Sequence, residues 1–118
     1  NAAHNPPLMW KNSQQKVIKL DAEGFVLGLQ KDADYKCGEI KLNKSDVILY
    51  YTDGITETSN KLGERYGEHN LIVNFSNLCK KNLSSQEIVN QIFKTLDYYS
   101  GKNKPLDDDA SVVIFKLE

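Results

Sequence analysis

The sequence predicts an α+β fold in which an antiparallel β-sheet layer carries two helices on one face. Short runs rich in β-branched and aromatic residues, bounded by turn residues, predict strands at residues 8–10, 17–20, 35–42 and 47–51. Two stretches with helical spacing of apolar residues follow, and a final strand at 110–115 ends the pattern. This order separates most strands from the helices, which is typical of an α+β domain.

The first hairpin is predicted from the N-terminal residues. Pro6 and Pro7 exclude a helix and permit an extended edge segment, so residues 8–10 should form a strand. A polar turn at 11–15 leads to the strand at 17–20, and we expect these two strands to pair.

A second hairpin is predicted around the central strand. Residues 35–42 alternate loosely between apolar and polar side chains and should pair with 47–51 across the polar turn at 43–46. The preceding loop, residues 21–34, holds glycines on either side of an apolar plug, which we expect to pack on the core. The strand at 47–51 is apolar throughout, so it should be buried on both faces, and two helices can cover only one of them.

Two amphipathic helices follow the central strand. Residues Glu68–Lys81 place apolar side chains at i, i+1, i+4, i+7 and i+8, which form one face of a helix. Ser84 and Glu87 have the spacing of a capping box, which predicts the start of the second helix. Gly101 is well placed to end it.

Composition excludes several classes of protein. The 118 residues suffice for one small domain, and the hydrophobic and charged shares, 40% and 26%, are ordinary for a globular protein. The net charge of −1 gives no basic surface for nucleic acid. No apolar run reaches the length of a membrane span, and Cys37 and Cys79 lack metal-binding spacing. We expect reduced thiols and a cytoplasmic location, with any membrane tether of the parent protein lying upstream.

Two acidic turns carry the candidate chemistry. Asp53 and Gly54 follow the strand at 47–51, and Gly54 lets the backbone pass close to whatever Asp53 holds. Near the other end of the chain, residues 107–109 are three aspartates directly before the final strand. If the two strands pair antiparallel, the end of one lies beside the start of the other, and Asp53 meets the Asp108 region.

Carboxylates that converge at one sheet edge cannot all stay ionised without a cation. Magnesium, manganese and calcium are the cations that prefer carboxylate oxygens. Taken separately, an Asp-Gly pair is also an ordinary turn, and an aspartate run is also a solvated loop. Two or three carboxylates supply only about half of the ligands in the coordination shell of such a cation. Glu57 is the nearest additional candidate, whereas Asp46 lies at the wrong end of the strand. Arg65, the only arginine, could bind phosphate, but its position in an exposed loop favours a surface ion pair.

The same residues resemble the signature of a known family. Residues 49–57, followed by Asn60 and by Gly-Glu-Arg-Tyr-Gly at 63–67, are similar to the signature of the SpoIIE/RsbU-type bacterial serine/threonine phosphatases. These phosphatases belong to the metal-dependent PPM superfamily. The other similar motifs are the family's Asn-Ala-Gly-His-x-Pro-Pro strand, its Gly-x-x-Leu-Gly loop and its closing Asp-Asp-x-Thr, at residues 1–7, 24–28 and 108–111.

The resemblance implies that Asp53 and Asp108 are ligands of manganese or magnesium. It implies a supporting role for Asp109 and a close turn beside the metals at Gly54. It also implies hydrolysis of phosphoserine or phosphothreonine by a metal-bound hydroxide, without a covalent phosphoenzyme. The expected substrate is a phosphorylated anti-anti-sigma-type protein of a partner-switching pathway, with an upstream sensor domain as the regulator.

The chain departs from the family pattern mainly by what it lacks. Ala3, Ser45 and Ser111 replace a Gly, a Gly and a Thr, and these changes are conservative. The family's first half, with a metal-bridging aspartate, has no match. Residues 1–118 are therefore interpreted as the C-terminal half of a PPM-type phosphatase domain. Alone, it should bind manganese weakly, turn over little substrate, and expose a sheet face open to self-association.

Two other functions stay open. The first is a non-catalytic interaction module that keeps the fold to bind an anti-anti-sigma-like protein, although retention of Asp53 and Asp108 weighs against it. The second is a generic α+β domain with unrelated acidic turns. Metal titration separates the phosphatase from the generic domain, and the activity of a longer chain separates it from the interaction module.

Overall fold

A computed structural model describes residues 4–24, 26–101, 106 and 108–118. The predicted motif residues Asn1–Ala3, the plug residue Phe25 and the first acidic-triplet residue, Asp107, lie outside the described residues. Within the described part, a four-stranded sheet and three α-helices form, with a 3₁₀ turn at Asn12–Gln14. In chain order the elements are β1 Leu8–Lys11, β2 Lys16–Lys19, β3 Val47–Tyr51, α1 Asp53–Thr56, α2 Gly67–Lys80, α3 Ser85–Ser100 and β4 Val112–Lys116.

The sheet is antiparallel and has the strand order β2-β1-β3-β4. The predicted first hairpin is confirmed, with Met9 opposite Ile18. The predicted pairing of the central strand with the final strand is also confirmed, with Tyr51 opposite Val112. Because these strands run antiparallel, the residues after Tyr51 lie beside the residues before Val112.

The predicted strand at 35–42 is wrong. All eight residues are described and none belongs to a strand; β1 instead takes the place beside β3 that this segment was expected to occupy. The alternation that suggested a strand is weak, because Gly38 and three charged residues interrupt it. Tyr35 and Ile40 remain 39% and 40% exposed, so the segment gains too little apolar burial to be held as a strand.

The expected packing of the 21–34 loop on the core is wrong as well. Val26, Leu27 and Leu29 are 49%, 71% and 79% exposed. Residues 20–22 and 37–40 instead line an open cavity of about 770 Å³ together with Ile18, Ile48 and Tyr50 of the sheet.

The two faces of the sheet differ in cover. On the first face, alternate strand residues such as Trp10 and Leu49 are buried in one core cluster with Leu71 and Phe75 of α2 and Ile92 of α3. Both long helices therefore cover this face, as predicted.

On the second face, Met9 and Ile48 are buried, but Tyr50, Val113 and Phe115 are 46%, 61% and 49% exposed. The central strand is thus apolar on both sides, yet the described residues cover its second face only in part.

The long helices begin and end for local reasons. Ser84 accepts a hydrogen bond from the Glu87 backbone N–H at 3.2 Å, and the Glu87 carboxylate accepts one from the Ser84 N–H at 2.7 Å. This confirms the capping box, and these bonds lower the pKa of Glu87. Gly101, at φ 95°, ends α3 in a conformation that glycine adopts readily. No helix in the described part of the chain is long and apolar enough to cross a bilayer.

Candidate active site

The end of β3 and the segment before β4 are joined by two hydrogen bonds, of which one is accepted by a side chain. The Thr52 N–H donates to the Ser111 carbonyl oxygen at 3.1 Å. The Ser111 N–H donates in return to the Thr52 hydroxyl oxygen at 2.9 Å. The two acidic turns are therefore fixed beside each other by pairing between distant parts of the sequence, as the strand order predicted.

Gly54 lies directly against this second segment. A Cβ atom on Gly54 would lie 2.1 Å from the Asp109 carbonyl oxygen and 2.7 Å from its carbonyl carbon. Only a residue without a side chain permits that approach. The glycine is thus needed for contact between the two acidic turns, and the neighbour that it makes room for is the Asp109 backbone.

The two candidate ligands, Asp53 and Asp108, both present exposed carboxylates. Asp53 begins the short helix α1, and its side chain accepts a hydrogen bond from the Asn5 amide. Asp108 accepts a hydrogen bond from the Asp109 N–H at 2.7 Å. Asp109 itself is exposed and adjacent. Each carboxylate keeps acceptor capacity for a ligand, because a carboxylate offers about four lone-pair positions.

A cavity of about 430 Å³ opens at this junction. The described residues that line it are Gly54, Glu57, Ser59, Gly63, Arg65 and Asp108. The cavity thus joins the Asp53-Gly54 turn, through Gly54, with the acidic segment before β4. The Asp53 carboxylate is not among the groups that line it, but it belongs to the residue next to Gly54.

Residues 57–66 form a small hairpin that walls this cavity; we call it the 57–66 hairpin. Ser59 and Arg65 form an antiparallel bridge, and the Tyr66 N–H donates to the Thr58 carbonyl oxygen at 2.7 Å. The buried Thr58 hydroxyl donates to the Gly54 carbonyl oxygen at 2.7 Å. The 57–66 hairpin is therefore anchored to the acidic turn.

Further hydrogen bonds hold the tip and one side of the 57–66 hairpin in place. Asn60 accepts hydrogen bonds from the N–H groups of Leu62 and Glu64, at 2.9 and 3.0 Å. The Tyr99 hydroxyl on α3 lies 3.1 and 3.2 Å from the carbonyl oxygens of Glu64 and Arg65, and can donate to either. Helix α3 thus braces the wall of the cavity.

The electrostatics of the junction are acidic. Burial first, and then the negative charges of Glu68 and Asp53, together raise the pKa of Tyr51 to about 12. Tyr51 therefore stays protonated at neutral pH. Among the described residues that line the cavity, the cation is Arg65, and its Nη1 lies 3.1 Å from the Glu57 Oε1. The predicted surface ion pair at Arg65 is confirmed in this contact.

Asp46, at the other end of β3, has a different environment. It is 2% exposed, and its carboxylate accepts hydrogen bonds from the backbone N–H groups of Asn12 and Asn43, at 2.9 and 2.8 Å. These bonds join the first hairpin to the start of β3. Asp46 is therefore a structural group, in agreement with its exclusion from the candidate metal ligands.

The exposed oxygens of Asp53 and Asp108 suit a hard cation in chemical type. Among the described residues, however, no group of three or more histidine, cysteine, aspartate or glutamate side chains could hold a metal ion. The donors therefore fit part of a coordination shell, and the remaining ligands must come from water, substrate or residues outside this set.

Comparison with known proteins identifies the fold and the family. The SiaA PP2C domain of Pseudomonas aeruginosa superposes with a TM-score of 0.76 at 20% identity, over 98% of this chain and 44% of that one. The PP2C phosphatase domain of SpoIIE from Bacillus subtilis gives a TM-score of 0.70 at 18% identity, over 97% and 31%. The family model described as stage II sporulation protein E (SpoIIE) matches residues 1–118.

The chain belongs to the SpoIIE family. The phosphoserine phosphatase RsbU of Bacillus subtilis strain 168 is 31% identical to the chain over 118 residues. That match covers 98% of this chain but 33% of RsbU, so the chain spans about a third of the relative's length.

Sequence reasoning missed two groups at this site, Asn5 and Thr52. The sequence presents Asn5 only as a variable position in a motif and Thr52 only as part of a turn. The sequence holds no signal for either contact, because the bond from Asn5 to Asp53 and the bond from Ser111 to Thr52 join residues 48 and 59 positions apart.

Proposed function

We propose that this chain is the C-terminal portion of a metal-dependent phosphoserine/phosphothreonine protein phosphatase. The observation that carries the proposal is the contact between Gly54 and Asp109, which places the Asp53 turn beside the Asp108 segment. Membership of the SpoIIE family and 31% identity to a phosphoserine phosphatase support the same activity.

In this proposal Asp53 and Asp108 supply carboxylate oxygens to manganese or magnesium. Such a metal, when bound, lowers the pKa of water and neutralises charge on the phosphoryl group. The backbone contact at Gly54 keeps the two acidic turns together, and Asp109 supports the second turn. No side chain of this chain is assigned as a catalytic acid or base.

The donors present account for only part of a two-metal site. We therefore expect the chain alone to bind manganese weakly and to hydrolyse little phosphoester, because the missing ligands lie elsewhere in the parent domain. The exposed residues Tyr50, Val113 and Phe115 of the second sheet face support this interpretation. In the chain alone that face is open to self-association.

The proposed substrate is a phosphorylated regulator of the anti-anti-sigma type, in a bacterial partner-switching pathway. A solved structure that superposes with a TM-score of 0.64 holds the RsbU and RsbW domains of Rv1364c from Mycobacterium tuberculosis, a pairing that fits such a pathway. We place the activity in the cytoplasm, under control of an upstream sensor domain in the parent protein.

The deciding experiment uses the parent protein with an aryl phosphate as substrate. We expect manganese-dependent hydrolysis, and Asp53→Asn should lower kcat by about 1,000-fold, because loss of a metal ligand removes several kcal/mol of charge stabilisation. The matched control is Asp32→Asn, which removes an exposed carboxylate that does not line the cavity.

Equal activity of the two variants would contradict the metal role of Asp53. No hydrolysis by the wild-type protein with any divalent metal would contradict the phosphatase itself. That result would favour the alternative function, a non-catalytic module that binds a protein partner.

A further inference from the structure

The cavity beside Gly54 and Asp108 contains an ion pair outside the proposed metal ligands. Glu57, the additional candidate ligand in the sequence, contacts Arg65 instead. Arg65 and Glu57 meet at 3.1 Å, and their side chains are 69% and 45% exposed. An ion pair this exposed contributes little to the stability of a fold. Its position in the wall of the candidate active site therefore calls for another explanation.

Arg65 has the chemistry of a phosphate-binding residue. It is the only arginine in the sequence, and among the described residues that line the cavity it is the one cationic side chain. A guanidinium presents a planar fork of donors that matches two phosphate oxygens at once, whereas lysine acts only as a point charge.

The backbone around Arg65 is held in place before any ligand arrives. Arg65 forms the antiparallel bridge with Ser59, and the Tyr99 hydroxyl lies 3.2 Å from the Arg65 carbonyl oxygen. The Thr58 hydroxyl ties the same hairpin to Gly54. A donor on a pre-organised support loses less conformational entropy when it binds.

We propose that Arg65 binds the phosphate of the substrate and that Glu57 is its counter-ion in the resting site. The ligand class is a phosphate monoester dianion such as phosphoserine, and free phosphate presents the same oxygens. The proposal rests on the proposed phosphatase function, and it assigns to this chain the phosphate-binding group that the acidic turns lack.

The charges of the cavity explain why a counter-ion is present. Asp108 and Glu57 are acidic, so a phosphate dianion would meet a negative surface without Arg65 and the expected metal. Without substrate, Glu57 neutralises Arg65. When phosphate enters, the guanidinium exchanges one carboxylate contact for two charge-assisted hydrogen bonds to the ligand.

The first test is steady-state kinetics of the parent protein with a phosphoserine peptide, with free phosphate as a competitive inhibitor. Arg65→Gln should raise KM and the phosphate inhibition constant by about 10- to 100-fold, the loss expected for hydrogen bonds to a charged group. Arg65→Lys should recover part of the loss. Glu57→Gln should tighten phosphate binding by about threefold, because it removes the competing carboxylate.

The matched control is Lys61→Gln. Lys61 lies on the same hairpin but lines a different cavity, with Leu62 and Tyr98. The Lys61→Gln variant should leave the phosphate inhibition constant unchanged, and this result would exclude a general effect of net charge. If Arg65→Gln and Glu57→Gln weaken phosphate binding together, the pair is only a brace for the hairpin and the proposal is overturned.

The second test needs no turnover. In an NMR spectrum of the parent protein, the Arg65 Nε–Hε signal is identified by its absence from the spectrum of Arg65→Gln. With magnesium present, added phosphate should shift this signal to saturation, and a signal that does not move at concentrations that inhibit the parent overturns the proposal. An active parent with normal phosphate inhibition in Arg65→Gln refutes this inference alone, whereas an inactive wild-type parent refutes the phosphatase.

Discussion

Strand β3 has an aspartate near each end, and the two aspartates differ in burial and in hydrogen-bond partners. Asp46, just before the strand, is 2% exposed and accepts two backbone hydrogen bonds from Asn12 and Asn43. Asp53, just after it, is exposed and is bonded by the side chain of Asn5. One carboxylate is fully engaged within the fold, and the other keeps its acceptor capacity for a ligand.

The difference shows how the same residue type becomes structural or functional. A buried carboxylate is tolerated only if it is hydrogen-bonded, and the same burial keeps a ligand away from its remaining lone pairs. An exposed carboxylate contributes little to stability but can bind a cation. Substitutions at the two ends should therefore separate effects on folding from effects on metal binding.

The largest effect on stability should come from Asp46→Ala. We expect the free energy of unfolding to fall by about 3 kcal/mol, because two charge-assisted hydrogen bonds are lost and two partly buried N–H groups lose their acceptor. Urea unfolding of the 118-residue chain measures this change. A loss below about 1 kcal/mol would show that water replaces the carboxylate, and the comparison between the two ends would fail.

Gly54→Ala should have an intermediate effect. Its Cβ would overlap the Asp109 carbonyl group, and forcing the two segments apart should cost about 2 kcal/mol. The matched control is Gly38→Ala, whose added Cβ has no atom within 4 Å and should change stability by less than about 0.5 kcal/mol. Equal stability of the two variants would mean that the acidic turns do not depend on close backbone contact.

The smallest effect on stability should come from Asp53→Asn in metal-free buffer. We expect a change within about 0.5 kcal/mol, because the side chain is exposed and an amide oxygen can still accept the Asn5 hydrogen bond. Urea unfolding beside Asp46→Ala gives the comparison directly. A loss as large as that of Asp46→Ala would make Asp53 a structural residue and remove the main support for its role as a ligand.

Much of the architecture could be predicted because its signals are local. The capping box at Ser84, the helix end at Gly101 and the apolar run of β3 each depend on a few neighbouring residues. The pairing of β3 with β4 is a condition in the sequence argument, and once it is met, antiparallel direction alone brings the acidic turns together. These are the features for which local preference and the final fold agree.

The errors lie where long-range packing decides. Residues 35–42 carry a weak strand pattern, but β1 occupies the edge of β3 that they would need. The position of Arg65 in the cavity wall could not be predicted for the same reason. This position depends on the fold of the 57–66 hairpin and on its contact with Tyr99 of α3. The metal roles of Asp53 and Asp108 stay predictions, because a coordination shell also needs groups outside the described residues.

The pairing of Tyr51 with Val112 also has a consequence for the order of folding. It closes a loop of roughly sixty residues, and closing a long loop has an entropic cost that short hairpins avoid. The first hairpin and the helices rest on local contacts and can form earlier. The candidate active site should therefore assemble among the last parts of the chain, and a chain still being synthesised cannot bring Asp53 and Asp108 together until β4 is available.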